Sequence, residues 1–232
     1  MINRILRIGA AMAIAALPAP CQQTPSEPDQ NPESKHVFWI IPNYRTSPIL
    51  ATYEPLTVKE KFKVAGEDSW DRGTFALAAV LGAQDQLLNS NRAFGQGAAG
   101  YGRYLGGAYG DFVIGNYMTE GLFPAILHQD PRYFRRGTGS GWSRLGYAMG
   151  QIIRTHNDSG ATQFNYSEIV GNSVAVAISN SYYVDNRNVR DNVSQLGVQI
   201  GVDMAANILK EFWPDLDRKL RHKQKNDLSA VK

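Results

Sequence analysis

The sequence predicts an all-α fold: a single compact bundle of about five to six helices, preceded by an extended N-terminal arm. Caps and apolar faces with helical spacing recur along the chain, and no alternating strand pattern occurs. Small residues also recur at every fourth position, so that they share one helix face and allow a neighbouring helix to approach closely. These columns are Ala78-Gly82, Ala98-Gly102-Gly106-Gly110, Gly146-Gly150, Gly171-Ala175-Ser179 and Gly197-Gly201-Ala205.

The glycine content itself favours close helix packing. A glycine inside a helix costs about 1 kcal/mol relative to alanine. A chain with 22 glycines therefore loses stability unless tight contacts offset that cost. We expect replacement of Gly106 or Gly201 by leucine to disrupt the bundle.

Composition indicates a globular chain and argues against nucleic-acid binding. Hydrophobic residues make up 43% of the chain and charged residues 19%, which is typical of a folded domain. The formal net charge is +3, and it falls to +1 without Arg4 and Arg7. Such a balance creates no whole-domain field that would attract a nucleic acid.

The first 21 residues have the pattern of a secretory signal peptide. Arg4 and Arg7 precede an uncharged apolar run over residues 8–17, and a small-residue cleavage site ends at Cys21. Two alternatives are a lipidated Cys21, which the neighbouring prolines disfavour, and an uncleaved anchor helix. Cys21 is the only cysteine, which excludes an internal disulfide.

The rest of the chain divides into four parts. Residues 22–36 are rich in Pro, Gln, Ser and Glu, which predicts a disordered linker. Prolines at 42, 48 and 55 prevent a helix in residues 37–57, which we interpret as an extended arm across the domain. The helical bundle is expected over residues 58–222, and residues 223–232 form a basic tail.

The first half of the bundle contains three predicted helices. Thr57 and Glu60 have the spacing of a capping box ahead of a short helix. Residues 70–89 form the second helix. Residues 97–127 form either one long glycine-rich helix, which Pro124 could kink, or two segments that meet near residues 106–107.

The second half begins with a predicted helical turn in which Asp130 is the N-cap, Pro131 the first helical residue and Gly137 the end. A helix then runs from Ser140 to about residue 155, followed by a polar loop over residues 156–162. Asn165 with Glu168 caps the next helix, which extends to about residue 183.

The clearest amphipathic helix covers residues 188–212, and we expect Pro214 to end it. Its apolar face consists of Val189, Val193, Leu196, Ile200, Met204 and Ile208.

Independent membrane spanning is not expected. The longest uncharged stretch of the mature chain, residues 169–184, is shorter than the about 20 apolar residues that a spanning helix needs. Assembly within the outer membrane stays a further possibility. It would require neighbours on both sides of the 97–127 helix, because Asp111 and Glu120 point in opposite directions and both must avoid lipid.

Polar residues suggest a first candidate site. Asn116 with Glu120, and Glu168 with Asn172, each share a helix face. If the two faces meet, they form a polar cluster that, together with His128, permits acid–base catalysis or weak metal binding. The alternative is structural: Glu168 caps its own helix, and His128 interacts with a helix C-terminus.

A cluster of basic and aromatic residues suggests a second candidate site. Arginine is suited to phosphate, and tryptophan favours a membrane interface, so this cluster could contact anionic lipid or phosphate groups. In the alternative, the aromatic rings lie in the core and the arginines pair with carboxylates or carbonyls. The residues are Arg132, Arg135, Arg136, Trp142 and Arg144.

Five segments resemble an uncharacterised family of exported bacterial envelope proteins. They occur in order over about residues 37–220, and the similarity implies a location in the cell envelope, in the periplasm or at the outer membrane. It implies no reaction and no site residue. The segments are residues 41–45, 59–62, 128–135, 164–168 and 211–215.

Together these observations predict an exported helical module without enzymatic activity that docks on a membrane surface or on an envelope protein, with a homo-oligomer possible. The alternative is an envelope hydrolase that uses Glu120, His128 and Glu168. The four histidines are scattered in the sequence, and we expect neither a metal site nor a cofactor.

Overall fold

A computed structural model describes residues 36–37, 41–42, 46–47, 53–185 and 187–230, with side chains for residues 53–185 and 187–220. The predicted signal peptide, most of the linker and much of the arm lie outside the described residues.

The prediction of an all-α fold is confirmed. The described residues form six continuous helices, accompanied by a few short strands. The helical segments are α1 (Val58–Ser69), α2 (Arg72–Leu88), α3 (Gly97–Asn116), α4 (Phe123–Leu127), α5 (Gly141–Gly150), α6 (Tyr166–Ser179) and α7 (Val189–Ala230), and a π-helical turn (Tyr117–Leu122) joins α3 to α4 without a break.

Local hydrogen bonds explain where α1 and α2 begin. The Thr57 hydroxyl accepts from the Glu60 backbone N–H while the Glu60 carboxylate accepts from the Thr57 N–H, which confirms the capping box. The Asp71 carboxylate accepts from the Gly73 N–H at 2.6 Å and caps α2. The two helices therefore meet at a short, well-defined corner.

Residues 97–127 form one helix, in agreement with the first of the two predicted alternatives. Pro124 lacks a backbone N–H, so a regular α-helix would leave a carbonyl without its partner at this point. The chain adopts the wider π turn immediately before Pro124. The Lys61 ammonium group donates to the Pro124 carbonyl at 3.1 Å.

The expected absence of strands is wrong for residues 129–164. Strands β4 (Gln129–Asp130), β6 (Arg154–Asn157) and β7 (Thr162–Phe164) form an antiparallel sheet in the order β4-β6-β7. They are too short to show alternation in the sequence. The predicted polar loop over residues 156–162 is thus largely a hairpin, and the helix from Ser140 ends at Gly150.

The predicted helical turn after Asp130 is also absent. Instead, β5 (Tyr133–Phe134) pairs in parallel with β3 (Thr46–Ser47), and β1 (His36–Val37) pairs with β2 (Ile41–Pro42). The Asp130 side chain does accept from a backbone N–H two residues on, that of Arg132, at 2.9 Å. This contact fixes a local turn without starting a helix.

Pro214 does not end the last helix, contrary to the prediction, because α7 continues to Ala230. A proline within a helix disturbs the bonding of the carbonyls one turn before it. The Glu211 carbonyl, three residues before Pro214, accepts from Arg144 Nη2 at 2.6 Å and from Arg135 Nε at 3.0 Å. These side-chain bonds stabilise the helix through the proline.

Two of the five small-residue columns make the close crossings that the sequence predicts. A Cβ atom added to Gly82 of α2 would lie 2.9 Å from the Leu105 nitrogen of α3, and one added to Gly171 of α6 would lie 2.9 Å from Thr119 Cγ2. Ala78, Ala175 and Ser179 are buried beside them.

The other three columns make no close helix crossing, which corrects the prediction for them, although a Cβ atom added to Gly110 would lie 3.8 Å from the Tyr182 hydroxyl oxygen. A Cβ atom added to Gly102, Gly106, Gly146, Gly150, Gly197 or Gly201 would meet no described atom within 4 Å. Spacing identifies one helix face, but the lateral order of the helices decides which faces are covered. Here α2 lies against α3, α3 against α6, α6 against α7 and α7 against α5.

Candidate functional site

The segments that carry Glu120 and Glu168 pack against each other. Glu120 lies in the π turn and Glu168 in the first turn of α6, and both side chains are buried. Asn172 donates to Glu168 Oε1 at 3.1 Å and to Asp203 Oδ2 of α7 at 3.3 Å. The Asn165 side chain caps α6 by accepting from the Glu168 N–H at 3.2 Å. The observed contacts thus link α6 to α7.

Asn116 and His128 lie elsewhere. The Asn116 amide donates to Ser69 Oγ of α1 at 3.4 Å, because the π turn interrupts the helical period between Asn116 and Glu120. His128 ends α4 with a left-handed backbone (φ 51°), and its exposed imidazole lies 3.7 Å from Asp158 Oδ2. The imidazole is therefore at the surface while the two carboxyl groups are buried, which gives the hydrolase alternative no geometric support.

A small polar cavity lies between the sheet and α6. Its volume of about 20 Å³ has room for about one water molecule. Ser167 forms part of one wall. Its N–H and hydroxyl donate to the Gln129 side-chain carbonyl oxygen at 2.8 and 2.6 Å, and the Gln129 amide donates to the Phe164 carbonyl. The other lining residues of the cavity include Thr119, Asp130, Arg154, Thr155, Asn165, Glu168 and Asn207.

Three of the four arginines of the basic cluster form internal contacts. Arg132 binds the buried Asp130 carboxylate through Nε and Nη2, at 3.0 and 2.6 Å to the nearer oxygens, and also donates to the Glu54 carbonyl. The Tyr53 hydroxyl lies 2.9 Å from Asp130 Oδ2, and burial is the main cause that raises the pKa of Tyr53.

Arg135 and Arg144 bind the last helix. Glu211 is fully buried, and its carboxylate accepts from Arg144 Nε at 2.7 Å, from the Tyr133 hydroxyl at 2.8 Å and from the backbone N–H groups of Arg136 and Gly137. Arg144 also binds Asp215 at 2.5 Å, as does Arg135 at 3.1 Å. Four donors thus satisfy a buried carboxylate, which is a structural arrangement.

Arg136 and Trp142 are the exposed members of this cluster. The Arg136 guanidinium lies 5.9 Å from the Tyr147 ring centroid, and Trp142 is 84% exposed at the start of α5. Of the cluster predicted to contact anionic groups, these two side chains are therefore the most accessible.

A second carboxylate, the half-buried Asp111, connects α3 to the chain between α6 and α7. Asp111 Oδ1 accepts from the Tyr182 hydroxyl at 2.5 Å and Oδ2 from the Tyr183 hydroxyl at 2.8 Å, and Gln195 of α7 lies 3.5 Å away. Burial raises the pKa of Asp111 to about 6, although the two tyrosine hydrogen bonds oppose this shift. Burial likewise raises the pKa of Tyr182 and Tyr183.

The outward side of α2 is apolar, and we call it the α2 outer face. Leu87 is 87% exposed and Val80 64%, and the only acids of the helix and its cap are not exposed, since Asp71 is buried and Asp85 is half-buried. Burial raises the pKa of Asp85. The exposed residues of this face are Arg72, Phe75, Ala76, Leu77, Val80, Gln84, Leu87 and Leu88.

Aromatic rings continue the α2 outer face at its N-terminal end. Trp70, at the corner between α1 and α2, is 72% exposed, and its ring centroid lies 6.3 Å from that of Tyr109. The Phe75 ring lies 5.7 Å from the same tyrosine. No helix in the described part of the chain has both the length and the apolar character that crossing a bilayer requires.

Comparisons with known proteins found no match: no family model, curated protein or solved structure is similar to this chain. In the parts of the chain that the structure describes, no group of three or more His, Cys, Asp and Glu side chains could hold a metal ion.

Sequence reasoning missed the two carboxylate centres at Asp111 and Glu211 and the α2 outer face. Asp111 binds Tyr182 and Tyr183, and Glu211 belongs to residues 211–215. In both centres the side chains that meet are distant in the sequence. The outer face had a visible signal, since residues 73–91 contain Asp85 as their sole charged residue.

Proposed function

We propose that this protein is a non-enzymatic helical module of the bacterial cell envelope that docks on a lipid membrane surface through the α2 outer face. The single observation that carries the proposal is the exposure of five large apolar side chains on one helix that presents no exposed acid. The envelope location is supported by the signal-like pattern of residues 1–21.

The energetics favour burial of this face. Moving a leucine, valine or phenylalanine side chain fully out of water stabilises a structure by roughly 1.5–3 kcal/mol. Phe75, Leu77, Val80, Leu87 and Leu88 are between 38% and 87% exposed, so each would contribute a part of that amount. Large apolar side chains exposed together on one helix are typical of interaction sites.

Apolar insertion, rather than ionic attraction, would dominate the binding. The internal ion pairs of Arg132, Arg135 and Arg144 leave Arg136 as the exposed guanidinium of the basic cluster. Arg136 and the exposed Trp142 are proposed as an auxiliary contact with anionic head groups. We therefore expect anionic lipid to strengthen binding only slightly.

Flotation with lipid vesicles tests the proposal. The wild-type protein is expected to float with vesicles of phosphatidylcholine, and slightly more with vesicles that also contain phosphatidylglycerol. The double variant Val80→Asp/Leu87→Asp places two charges on the α2 outer face and is expected to stay unbound, because a charge in acyl chains is costly.

A matched control adds the same charge elsewhere. Ile153 and Val184 are 49% and 54% exposed in turns outside α2, so Ile153→Asp/Val184→Asp is expected to float like the wild type. Circular dichroism of all three proteins verifies folding. A wild-type protein that binds neither vesicle, or an α2 variant that floats as well as the control, contradicts the proposal.

A further inference from the structure

We infer that Trp70, Phe75 and Tyr109 form an interfacial anchor that holds α2 in the plane of the membrane, at the boundary between head groups and acyl chains of one leaflet. This inference rests on the proposed function and adds the depth and orientation of the docked helix.

The anchor has the chemistry of that boundary. Tryptophan and tyrosine combine a large apolar ring with a polar group, and they are enriched where membrane meets water. Tyr109 contacts both of the other rings edge-on, with interplanar angles of 69° to Trp70 and 74° to Phe75. Its hydroxyl donates to the Ser69 carbonyl at 2.9 Å. The cluster is therefore arranged before any partner binds.

The corner that carries the anchor is fixed by hydrogen bonds. The Trp70 N–H donates to the Gly66 carbonyl at 3.0 Å, and the Thr74 hydroxyl donates to the Asp68 carbonyl at 2.6 Å. With the Asp71 cap, these bonds hold the end of α1 and the start of α2 together. Because this corner is held by hydrogen bonds, less conformational entropy is lost when the rings insert into the membrane.

Charge along α2 complements a lipid surface. Arg72 at the start of α2 and Arg92 in the 3-10 turn that follows are exposed cations. Two exposed acids lie near the same ends, Glu67 in the last turn of α1 and Asp185, which accepts from the Ala93 N–H. Between the two ends lies an apolar face along a helix of 17 residues, about 25 Å long. Phosphate groups beside an acyl layer would meet cations at both ends of the face.

Packing on α3 favours the in-plane orientation. The opposite side of α2 presses Ala78 and Gly82 against the α3 backbone, and the Tyr101 hydroxyl donates to the Ala79 carbonyl at 3.1 Å. Protein thus occupies the α3 side of α2, and strand β2 also lies against this helix. The exposed outer face is the side that would meet lipid. A helix covered in this way lies on a leaflet and does not cross it.

Tryptophan fluorescence in vesicles with brominated acyl chains tests this inference, because bromine quenches rings that reach the acyl layer. The measurement uses a Trp39→Phe background with Trp70→Phe or Trp142→Phe added. Trp142 is the comparison tryptophan: it is 84% exposed against 72% for Trp70, and on α5 its proposed contact is with head groups and not with acyl chains. Trp213 is buried and gives a constant signal.

We expect bromine near the head of the acyl chain to quench the background protein about two-fold more than bromine near its end. Trp142→Phe should retain this quenching and Trp70→Phe should lose most of it. Loss in Trp142→Phe with retention in Trp70→Phe overturns the inference. Vesicle binding without any quenching overturns it as well but leaves the proposed function intact, whereas absence of flotation overturns both.

Discussion

Asp111 shows how one half-buried side chain makes stability depend on pH. Its carboxyl group is surrounded by the Tyr182 and Tyr183 hydroxyls and by Gln195, with the Asp85 carboxyl nearby. Burial disfavours the ionised form more than these hydrogen bonds favour it. The folded state therefore binds the proton of the Asp111 carboxyl group more strongly than the unfolded state does.

We predict that this group makes the protein more stable in weak acid than at neutral pH. The folded-state pKa of about 6 exceeds the ordinary value of 3.8. The stabilisation that protonated Asp111 contributes is complete below about pH 4 and is lost as pH rises through 6. The free energy of unfolding is expected to change by up to about 3 kcal/mol over this range.

Thermal melts between pH 4 and 8 measure this effect. Asp111→Asn keeps an acceptor and removes the titration, so its profile should be flatter than that of the wild type over this range. Asp185→Asn is the control, because Asp185 is exposed. Parallel profiles for wild type and Asp111→Asn would show that Asp111 does not titrate as described.

The residues near Asn116 show what spacing can and cannot predict. Glu168 and Asn172 lie four residues apart in a regular helix, and their contact follows from that spacing. Asn116 and Glu120 have the same spacing, but the π turn between them sends the Asn116 amide to α1. The π turn has more residues per turn than an α-helix and accommodates Pro124. The spacing of residues in the sequence does not show that a proline changes the preceding turn.

At the scale of elements, helix packing depends on which face each helix turns towards its neighbour. The caps of α1, α5 and α6 were predictable because the capping side chains are within three residues of their partners. The short strands of the sheet were not, since their stability comes from Gln129, Thr155 and other contacts across long sequence separations. Local spacing likewise does not show which glycine columns are covered by a neighbouring helix.

Leucine substitutions should therefore separate the packed columns from the open ones. Gly82→Leu and Gly171→Leu place a side chain against backbone or Cα atoms about 3 Å away, and we expect each to lower stability by more than about 3 kcal/mol. Gly106→Leu and Gly201→Leu meet open space, and we expect changes below about 1 kcal/mol, with a slight gain from helix propensity.

Urea denaturation of the four variants gives the comparison. Equal destabilisation at the open and the packed positions would contradict the helix order described above. It would instead indicate that the open columns are covered in solution.

At the scale of the whole molecule, α7 has two unlike halves. Within the described helix no residue from 189 to 209 is buried, although the predicted apolar face includes Val189 and Val193, which are exposed. From Lys210 onwards the helix contains buried residues, among them Glu211 and Trp213. The Arg144 and Arg135 contacts also belong to this second half.

Hydrogen exchange should reveal this division. We predict that backbone amides of residues 190–202 exchange at least ten-fold faster than those of residues 206–217, because local opening costs less where few side chains are buried. Exchange measured by mass spectrometry on peptides from each half provides the test, with α6 as a slowly exchanging reference. Equal exchange rates along α7 would contradict the predicted difference between its two halves.

The buried ammonium group of Lys61 has a mechanical consequence. It donates to both oxygens of Asp158 in the hairpin between β6 and β7, at 2.7 and 2.9 Å, and to the Pro124 carbonyl at the end of the long helix. One side chain of α1 thus connects this helix to two distant parts of the chain. Because α1 ends at the corner that carries Trp70, we expect a displacement of that corner to act on the sheet through α1 and Lys61.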